Sequence, residues 1–369
     1  MALLPPEFIK LRQSPEAITI CRTRADGSGM TRLHEISPET AVEEYLSSRH
    51  DVAQSTLDNH RYRLEYFVEW AEQESIEFLT ELDGFDLQRY KNWRTNGESA
   101  PDCNLVTIEQ HLHTLRVFLR WAEQADLVSE STADKVVIPN VSSQDKARDI
   151  AISRERAKDV INYLCRYEWA STAHIIFHTL YHCGMRRSGL RALDVSDWHP
   201  NERYLDLQHR PEQGTRLKLG ERGERQVTVK DERLVDALND WTKNQRPSVT
   251  DNHGREPLIA SNHGRMHYQS VTKICYKVTR PCWIKTECPH DRDPEECEAT
   301  TYGGYSKCPS SISSHPVRRS SITHHLSKDV PAEICSQRMS LSTETLDLHY
   351  DARDKEQRRQ NREQYLERL

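Results

Sequence analysis

The chain has 369 residues, of which 36% are hydrophobic and 29% are charged, and its formal net charge is −6. This length predicts two or three domains, and the hydrophobic content argues against disorder throughout the chain. The sequence contains no apolar run of about 18 residues, which argues against a membrane span, and the N-terminus lacks the pattern of a signal peptide. We therefore expect a cytoplasmic protein whose ten cysteines are reduced thiols or metal ligands rather than disulfides.

The charge is distributed unevenly along the chain. Residues 41–140 contain 19 acidic and 9 basic residues, a net charge of −10, which leaves +4 for the remainder. This asymmetry predicts two domains with different surfaces. It also argues against a generic basic protein that binds nucleic acid through its overall charge.

The first third of the chain has the pattern of a helical domain. Residues 1–37 lack periodicity, and we expect an N-terminal arm there. Over 38–135, apolar residues recur at helical spacing, and Ser55–Asp58 has the pattern of a capping box. Two amphipathic helices and a third near 86–93 predict an all-α bundle. The two apolar stripes consist of Leu57, Leu64, Phe67, Val68 and Ala71, and of Ile108, Leu112, Leu115, Leu119 and Ala122.

The remainder of the chain predicts a second domain of mixed structure. Residues 136–152 contain a proline and a polar run, which are typical of a linker. Within 153–369, helical patterns predominate, and the alternating segments 204–208 and 226–229 predict a small antiparallel sheet. The strongly charged segment 351–369 predicts a helical tail.

Three clusters in this second domain carry reactive side chains. Arg186 follows a glycine at a predicted helix start, where a guanidinium suits phosphate binding. His315 and Arg318 are one helical turn apart, so that an imidazole able to exchange a proton lies beside a fixed cation. Tyr350 offers a phenol that becomes nucleophilic when nearby cations stabilise its anion. Taken singly, these clusters fit a surface helix, a solvated basic turn and a packing tyrosine better than they fit a reactive site.

In chain order the clusters read Arg … His-x-x-Arg … Tyr, and this ordered set resembles the tyrosine recombinase (phage integrase) family. The sequences of these motifs are most similar to those of haloarchaeal integrases. The resemblance implies a SAM-like core-binding domain over 38–135 and a catalytic domain over 153–369. That family carries a lysine on a β-hairpin between the first two clusters, and Lys218, in the basic stretch 215–225, is the candidate here.

The resemblance also implies a mechanism. Tyr350 would attack a DNA phosphodiester, which leaves a 3′-phosphotyrosyl link and a free 5′-hydroxyl. Arg186 and Arg318 would hold the non-bridging oxygens as negative charge builds. Lys218 would protonate the leaving 5′-oxygen, and His315 would act as an acid–base group or hydrogen-bond donor. Because the phosphotyrosine keeps the bond energy, no nucleotide and no catalytic metal or other cofactor is required.

Three departures from the family pattern stand out. Gly189 occupies a position that commonly carries a glutamate. Arg338 aligns with the second His/Trp position, and its separation from Tyr350 is about three residues longer than usual, which one extra helical turn would absorb. Tyr365, in the charged tail, is a poorer alternative nucleophile. Asp197 matches a position that usually gives structural support.

The segment 281–314 is rich in Cys, Pro, Gly and Ser and has no usable periodicity. Four soft ligands in a reduced chain suit tetrahedral zinc, and a metal would stabilise a loop that has too few apolar residues to fold alone. Such a zinc would be structural and would fix the loop that presents His315. A flexible loop with unpaired thiols is the alternative. The candidate ligands are Cys282, Cys288, Cys297, Cys308 and His290.

The resemblance implies double-stranded DNA as the partner, a homotetramer on DNA, and a monomer or dimer in its absence. The segment 351–369 would then dock on a neighbouring subunit, or it is a solvated helix end. The acidic first domain opposes DNA binding at ordinary salt unless its basic residues gather on one face or the protein works in concentrated salt. These basic residues are Arg61, Arg63, Arg89, Lys91, Arg94, Arg116 and Arg120.

Two other functions remain compatible with the sequence. One is a non-catalytic, zinc-stabilised DNA-binding module that kept the fold, which Gly189 and Arg338 favour. The other is an enzyme like the type IB topoisomerases, which relaxes DNA by similar chemistry without exchanging partners. A covalent DNA adduct at Tyr350 distinguishes an enzyme from a binding module.

Overall fold

The computed structural model describes residues 33–96, 103–141, 151–328, 330–343, 345–346, 359 and 363. The chain divides into two compact units, Met1–Arg148 and Asp149–Leu369. The division falls inside the segment 136–152. Val136 is buried in the core of the first unit and Ile152 in that of the second, so the two ends of this segment are packed rather than free. Among the described residues, no helix has the length and apolar content needed to cross a lipid bilayer.

The described residues of the first unit form a four-helix bundle around an aromatic core. Five large aromatic side chains are fully buried in it: Tyr45, Phe67, Trp70, Tyr90 and Phe118. The rings meet edge to face, with centroids 5.5 Å apart for Tyr45 and Phe118 and 5.6 Å apart for Phe67 and Tyr90, a geometry that aromatic quadrupoles favour. The helices are α1 (Pro38–Ser48), α2 (Gln54–Gln73), α3 (Gly84–Asn96) and α4 (Leu105–Gln124).

Both predicted apolar stripes lie on the buried faces of α2 and α4, which confirms the helical periodicity. The predicted capping box at Ser55 is wrong, because α2 begins at Gln54 and its N-cap, Ala53, makes no side-chain hydrogen bond. In α4, the side chain of Asn104 accepts a hydrogen bond from the Thr107 N–H and caps the helix. A serine at an N-cap contributes about 1 kcal/mol to stability. This is too little to fix the start of a helix when tertiary packing favours another position.

The second unit surrounds helix α6, which is apolar on nearly all sides. Most of its residues are buried, and α5, α8, α9 and α10 pack around it. A helix that is hydrophobic all round belongs in the middle of a domain. The helices of this unit are α5 (Arg154–Tyr167), α6 (Thr172–Cys183), α7 (Arg187–Ala192), α8 (Glu232–Asp240), α9 (Tyr268–Val278), α10 (Ser314–Leu326) and α11 (Ala332–Met339).

The strands form two small antiparallel sheets. The first has the order β1–β2–β3, and Leu205 and Leu207 of β2 point into the core. The second is a hairpin of two-residue strands. This arrangement confirms the predicted fold class, a helical bundle followed by a mainly α domain with a small antiparallel sheet. The strands are β1 (Trp198–His199), β2 (Tyr204–Leu207), β3 (Arg225–Thr228), β4 (Ala260–Ser261) and β5 (Gly264–Arg265).

Candidate functional site

Arg186 lies at the start of α7, in the short turn that follows α6. Helix α6 ends at Gly184, which has φ +60° and adopts the left-handed conformation that glycine accepts without strain. Arg186 itself is extended and serves as the N-cap of α7. Its guanidinium donates from Nη1 to the carbonyl oxygen of Ser340 over 2.5 Å. The turn therefore directs Arg186 towards the end of α11.

Arg318 and His315 lie on α10, one turn apart. The helix begins at Ser314, and Pro316 lies in its first turn, where the missing N–H costs no intrahelical hydrogen bond. Arg318 is only 3% exposed. Its Nη1 donates to the carbonyl oxygens of Gly184 and Met339, each over 2.7 Å.

His315 is partly accessible to solvent beside three cations. Partial burial lowers its pKa, and the positive charges of Arg318, Arg186 and Lys218 lower it further. The imidazole is therefore neutral at neutral pH and can accept a proton. These electrostatic contacts connect side chains from the α6–α7 turn, the β2–β3 connection and α10.

Lys218 lies on the long connection between β2 and β3. With Arg186, Arg225, Gly223 and Ser340 it lines a narrow cleft. The nearby Arg216, the other hairpin cation that the sequence offers, is exposed and is not among the residues that line this cleft. The side chains of Arg186, Lys218, His315 and Arg318 thus meet in one region of the second unit.

Arg225 is a cleft residue that the sequence analysis missed. It begins β3, and its Nε donates to the carbonyl oxygen of Arg338 over 2.7 Å. Burial lowers its pKa to about 10, and the neighbouring Arg186 adds to this shift. A basic residue in an alternating segment has the pattern of an exposed strand face, so the sequence gives no signal for this position.

Arg338 points away from the cleft. Its guanidinium donates to the carbonyl oxygens of Thr228, over 2.9 Å, and His182, over 3.3 Å. Burial lowers the pKa of His182 to about 3, and the charge of Arg338 contributes. The last carbonyls of α11 point along the helix axis and reach Arg186 and Arg318, whereas the Arg338 side chain projects sideways from the helix towards β3. Arg338 therefore ties α11 to β3 and α6, and it does not face the cleft as the sequence alignment predicts.

Tyr350, Tyr365 and nearly all of the segment 351–369 lie outside the described residues, as does most of 1–37. The described part of the chain approaches Tyr350 as far as Leu346. Leu346 is fully buried and packs in one cluster with Ile322 of α10 and Met339 of α11. The chain is thus anchored four residues before Tyr350 on the helices that carry Arg318 and Arg338.

Gly189, where the sequence departs from the expected glutamate, is buried in α7. A Cβ at this position would come within 3.0 Å of Leu207 Cδ2. Leu207 is itself buried in the core of the second unit. A side chain at position 189 would therefore require Leu207 to shift by a few tenths of an ångström.

Asp197 belongs to a buried ionic network beneath the cleft. Its carboxylate accepts hydrogen bonds from Arg210 over 2.6 and 2.9 Å and from the backbone N–H of Asp194 over 2.8 Å. The Asp194 carboxylate in turn forms ion pairs with Arg255 and Arg265. This network fixes the chain that follows α7 to the β2–β3 connection and to the β4–β5 hairpin. The role of Asp197 is therefore structural.

The cysteines of the segment 281–314 come together around one small cavity of about 10 Å³. All four predicted cysteine ligands and His290 line it. The Nε2 atom of His290 is 2.8 Å from Ser310 Oγ. The residues that line the cavity are Arg280, Pro281, Cys282, Cys288, His290, Arg292, Pro294, Cys297, Ala299 and Cys308.

A second group of metal-ligating types, which the sequence analysis did not single out, lies in the core. One ligand atom each of Cys165, His174 and His178 lies within 4.8 Å of the others. His174 accepts a hydrogen bond from the Ala170 N–H over 3.1 Å and is 3.3 Å from His178 Nδ1, and His178 Nε2 is 3.3 Å from Asp231. This chain of hydrogen bonds satisfies both imidazoles without a metal.

Most of the candidate basic residues of the first unit are engaged by neighbouring groups. Arg94 is 2% exposed and its guanidinium lies 4.0 Å from the centroid of the Tyr66 ring, while Arg116 donates to the carbonyl of Val136. Three others are engaged by acidic neighbours. These pairs are Arg61–Glu43, Arg89–Glu74 and Arg120–Asp134.

Residues 42–130 match the family model of the phage integrase N-terminal SAM-like domain. The N-terminal domain of a phage integrase/site-specific recombinase from Haloarcula marismortui is 34% identical to this chain. That match covers 28% of this chain and 98% of the other, with a TM-score of 0.27. The relationship of this chain to that domain rests on their sequence identity.

Two solved structures resemble both units of the chain. The Tn1549 transposon integrase, in complex with a circular intermediate DNA, is 13% identical, with coverage of 89% of this chain and 99% of the other and a TM-score of 0.62. Lambda integrase bound to DNA is 12% identical, with coverage of 87% and 99% and a TM-score of 0.57. At these low sequence identities, the similarity to the two structures concerns the fold alone.

Proposed function

The chain belongs to the tyrosine recombinase (phage integrase) family, and we propose that it is a site-specific recombinase that cuts and rejoins double-stranded DNA. One observation carries this proposal: Arg186 and Arg318 donate to the adjacent carbonyls of Ser340 and Met339, Lys218 lines the same cleft as Arg186, and His315 precedes Arg318 by one turn of α10. Three cations around a neutral imidazole provide charge for a phosphodiester and an acceptor for one proton. DNA as substrate also agrees with a cytoplasmic protein.

In the proposed cleavage step, the phenol oxygen of Tyr350 attacks phosphorus. The phenol proton passes to neutral His315, and the bond from phosphorus to the 5′-oxygen breaks. Lys218 gives a proton to the departing 5′-oxygen, while Arg186 and Arg318 neutralise the non-bridging oxygens. Attack by a second 5′-hydroxyl reverses these steps and rejoins the strand.

The reach of Tyr350 supports its role as the nucleophile. Leu346 is anchored on the core formed by α10 and α11, and four residues span at most about 14 Å. In the unbound protein the carbonyl of Ser340 accepts the hydrogen bond of Arg186. A bound phosphate would compete for this donor, so DNA binding and the position of the chain that leads to Tyr350 are coupled.

The leaving-group role of Lys218 has a specific chemical test. Replacing the bridging 5′-oxygen of the substrate with sulfur creates a leaving group that departs without a proton. We expect Lys218→Gln to slow cleavage of ordinary DNA by roughly 100-fold or more and to cleave the sulfur substrate nearly as fast as the unaltered protein does. Arg216→Gln is the matched control and should behave like the unaltered chain with both substrates.

The nucleophile is tested by covalent capture. A pool of nicked duplexes of random sequence traps any phosphotyrosyl adduct, because the short strand beyond the nick diffuses away. We expect a denaturant-resistant adduct that mass spectrometry assigns to Tyr350, that Tyr350→Phe abolishes and that Tyr365→Phe retains. Sequencing the trapped strands would also identify the target site. An adduct retained in Tyr350→Phe would refute the assignment.

The same experiment separates the competing functions. A non-catalytic DNA-binding module forms no adduct with any of these duplexes. An enzyme of the topoisomerase type forms the adduct but relaxes supercoiled DNA as a monomer and exchanges no strands. We propose instead a homotetramer on DNA, in which the tail 352–369 docks on a neighbouring subunit. Deleting this tail should preserve DNA binding and lower strand exchange.

We further propose that the first unit binds DNA in concentrated salt. Its net charge of −10 over 41–140 repels DNA at low ionic strength, and its ion-paired arginines do not offset this charge. Screening shortens the repulsion to about 3 Å at 1 M salt. Specific binding should therefore persist as salt rises, with a shallow dependence on salt. Tight, unspecific binding at low salt with a steep dependence would contradict this account.

A further inference from the structure

The segment between α9 and α10 has almost no core of its own. Over residues 281–313, the buried positions are Pro281, Ala299, Gly304, Cys308 and Ile312. Its only helical structure consists of three short 3₁₀ turns. So little apolar surface cannot offset the conformational entropy of ordering more than thirty residues. Another interaction must hold this segment together.

The two ends of the segment are tied at its base. The Ile312 N–H donates to Thr279 Oγ1 over 2.9 Å. Arg156 of α5 donates to the carbonyl oxygens of both Thr279 and Ser310. These hydrogen bonds close the loop where it leaves α9 and enters α10, but they do not reach its interior.

The interior of the loop is the cavity lined by Cys282, Cys288, Cys297 and Cys308. Its volume of about 10 Å³ excludes an organic ligand and suits a single ion. The four cysteines that line this cavity supply the four thiolates that zinc prefers. No three of their sulfur atoms lie within 4.8 Å of one another, so a bound ion would draw them closer together. His290 also borders the cavity, with its Nε2 2.8 Å from Ser310 Oγ, but four thiolates already complete a tetrahedral set without it.

The charges around the cavity favour thiolates. Four thiolates and one Zn²⁺ carry a net charge of about −2. Arg280 and Arg292 line the same cavity, and Arg280 is held in place by the carbonyl of Ala299. Arg156 lies close enough to Cys308 to interact with it electrostatically. These guanidiniums offset the negative charge that a metal–thiolate centre would bury.

We infer that Cys282, Cys288, Cys297 and Cys308 bind one structural zinc ion through their thiolates, with His290 outside the ligand set. The ion closes the interior of the loop in the way that the hydrogen bonds of Thr279 close its base. Four protein ligands leave no open position, so the ion takes no part in chemistry. Because Cys308 precedes α10 by six residues, the zinc fixes the start of the helix that carries His315.

The inference is tested on the full-length chain, purified without chelator, by counting metal. We expect about one zinc ion per chain. Replacing zinc with Co²⁺ should produce sulfur-to-cobalt charge-transfer absorption with the intensity of four thiolates. Cys288→Ser should hold zinc against a chelator roughly 10-fold more weakly or worse. Cys103→Ser, which alters a half-buried cysteine of the first unit, should keep the full zinc content.

The ligand set has its own test. His290→Ala should retain the zinc ion and the four-thiolate cobalt spectrum, whereas loss of both would overturn the assignment of His290 outside the set. Protein that binds no stoichiometric zinc after incubation with the metal, and whose four loop cysteines react with a thiol reagent equally fast with and without zinc, would overturn the site. Both readouts are independent of DNA cleavage, so their failure would leave the proposed function untouched.

Discussion

Arg186 and Arg318 donate hydrogen bonds to the carbonyl oxygens of two adjacent residues at the end of α11. Arg186 reaches Ser340 over 2.5 Å and Arg318 reaches Met339 over 2.7 Å. The two guanidiniums are thus held by the same turn, which is also where the chain departs towards Tyr350. A shift of this turn would change the surroundings of both arginines together.

The two arginines should differ in their contribution to stability. Arg318 is buried and satisfies two buried carbonyls, and each carbonyl left without a donor costs about 1–3 kcal/mol. We expect Arg318→Gln to lower the free energy of unfolding by about 2–4 kcal/mol and Arg186→Gln, at a partly exposed position, by less than about 1 kcal/mol. Denaturant unfolding measures both values, and equal losses would contradict this difference in burial.

Cleavage should be lost in both variants. Each removes one charge-assisted contact to the phosphate, worth roughly 100-fold in rate. The adduct assay on nicked DNA measures this loss at a temperature where both variants are folded. An Arg186→Gln variant that stays folded and cleaves normally would remove Arg186 from the proposed site.

Gly184 should not tolerate a side chain, because it combines φ +60° with a close neighbour. A Cβ at this position would lie 2.7 Å from Met339 Sδ. We expect Gly184→Ala to cost about 2–4 kcal/mol, the sum of left-handed strain and overpacking. Gly254 is a matched control, since it has φ +73° and open space around its Cβ position. Gly254→Ala should cost only the strain, about 1–2 kcal/mol. Denaturant unfolding of the two variants isolates the contact with Met339.

The pH dependence of cleavage should report on His315. Its pKa lies below the ordinary value of 6.5, because of burial and the nearby cations, so the neutral imidazole still predominates at pH 6.5. We expect the cleavage rate to fall with a midpoint below pH 6.5, as His315 is protonated. A rate that falls with a midpoint at or above 6.5 would contradict the assignment.

Removing one of these cations should raise the pKa of His315. NMR titration of the imidazole in Lys218→Gln should place its midpoint at higher pH than in the unaltered chain, because a positive neighbour opposes protonation. Lys230→Gln, an exposed position on the surface of the second unit, should leave the midpoint unchanged. An unchanged midpoint in Lys218→Gln would show that Lys218 does not face His315.

The network under the cleft should be intolerant of a missing carboxylate. Asp194 is 7% exposed at its side chain and pairs with Arg210, Arg255 and Arg265. Asp194→Ala would leave buried guanidiniums without their counter-charge, which typically costs about 3–5 kcal/mol. The surface pair of Arg203 and Glu232 provides the comparison.

Glu232→Ala removes a carboxylate from a solvent-exposed pair and should change stability by less than about 1 kcal/mol. Thermal unfolding of the two variants measures the contrast. Comparable effects would mean that the network beneath the cleft adds little beyond a surface ion pair.

Several elements were determined by the sequence alone. Apolar residues such as Leu64, Phe67 and Leu115 recur at helical spacing because one face of each helix must leave water, and this pattern predicts α2 and α4 at their observed places. The order of Arg186, His315 and Arg318 likewise identified the family. Both kinds of signal are local or depend only on chain order.

Helix α8 was missed, since it is short and the surrounding segments are polar. In α9, Val271, Cys275 and Val278 are buried, and the helical pattern around Cys275 is visible in the sequence.

Tertiary structure decided which cation faces the cleft. Arg225 and Arg338 are both arginines in plausible positions, yet the β3–α11 contact directs Arg225 to the cleft and the Arg338 guanidinium to the carbonyls of Thr228 and His182. The same holds for Arg94, which the sequence offers as a surface cation and which packing buries over Tyr66. Periodicity specifies which face of an element is apolar, because that depends on solvent. The direction of a polar side chain depends on which carbonyls and rings the folded chain brings near it, and those come from distant segments.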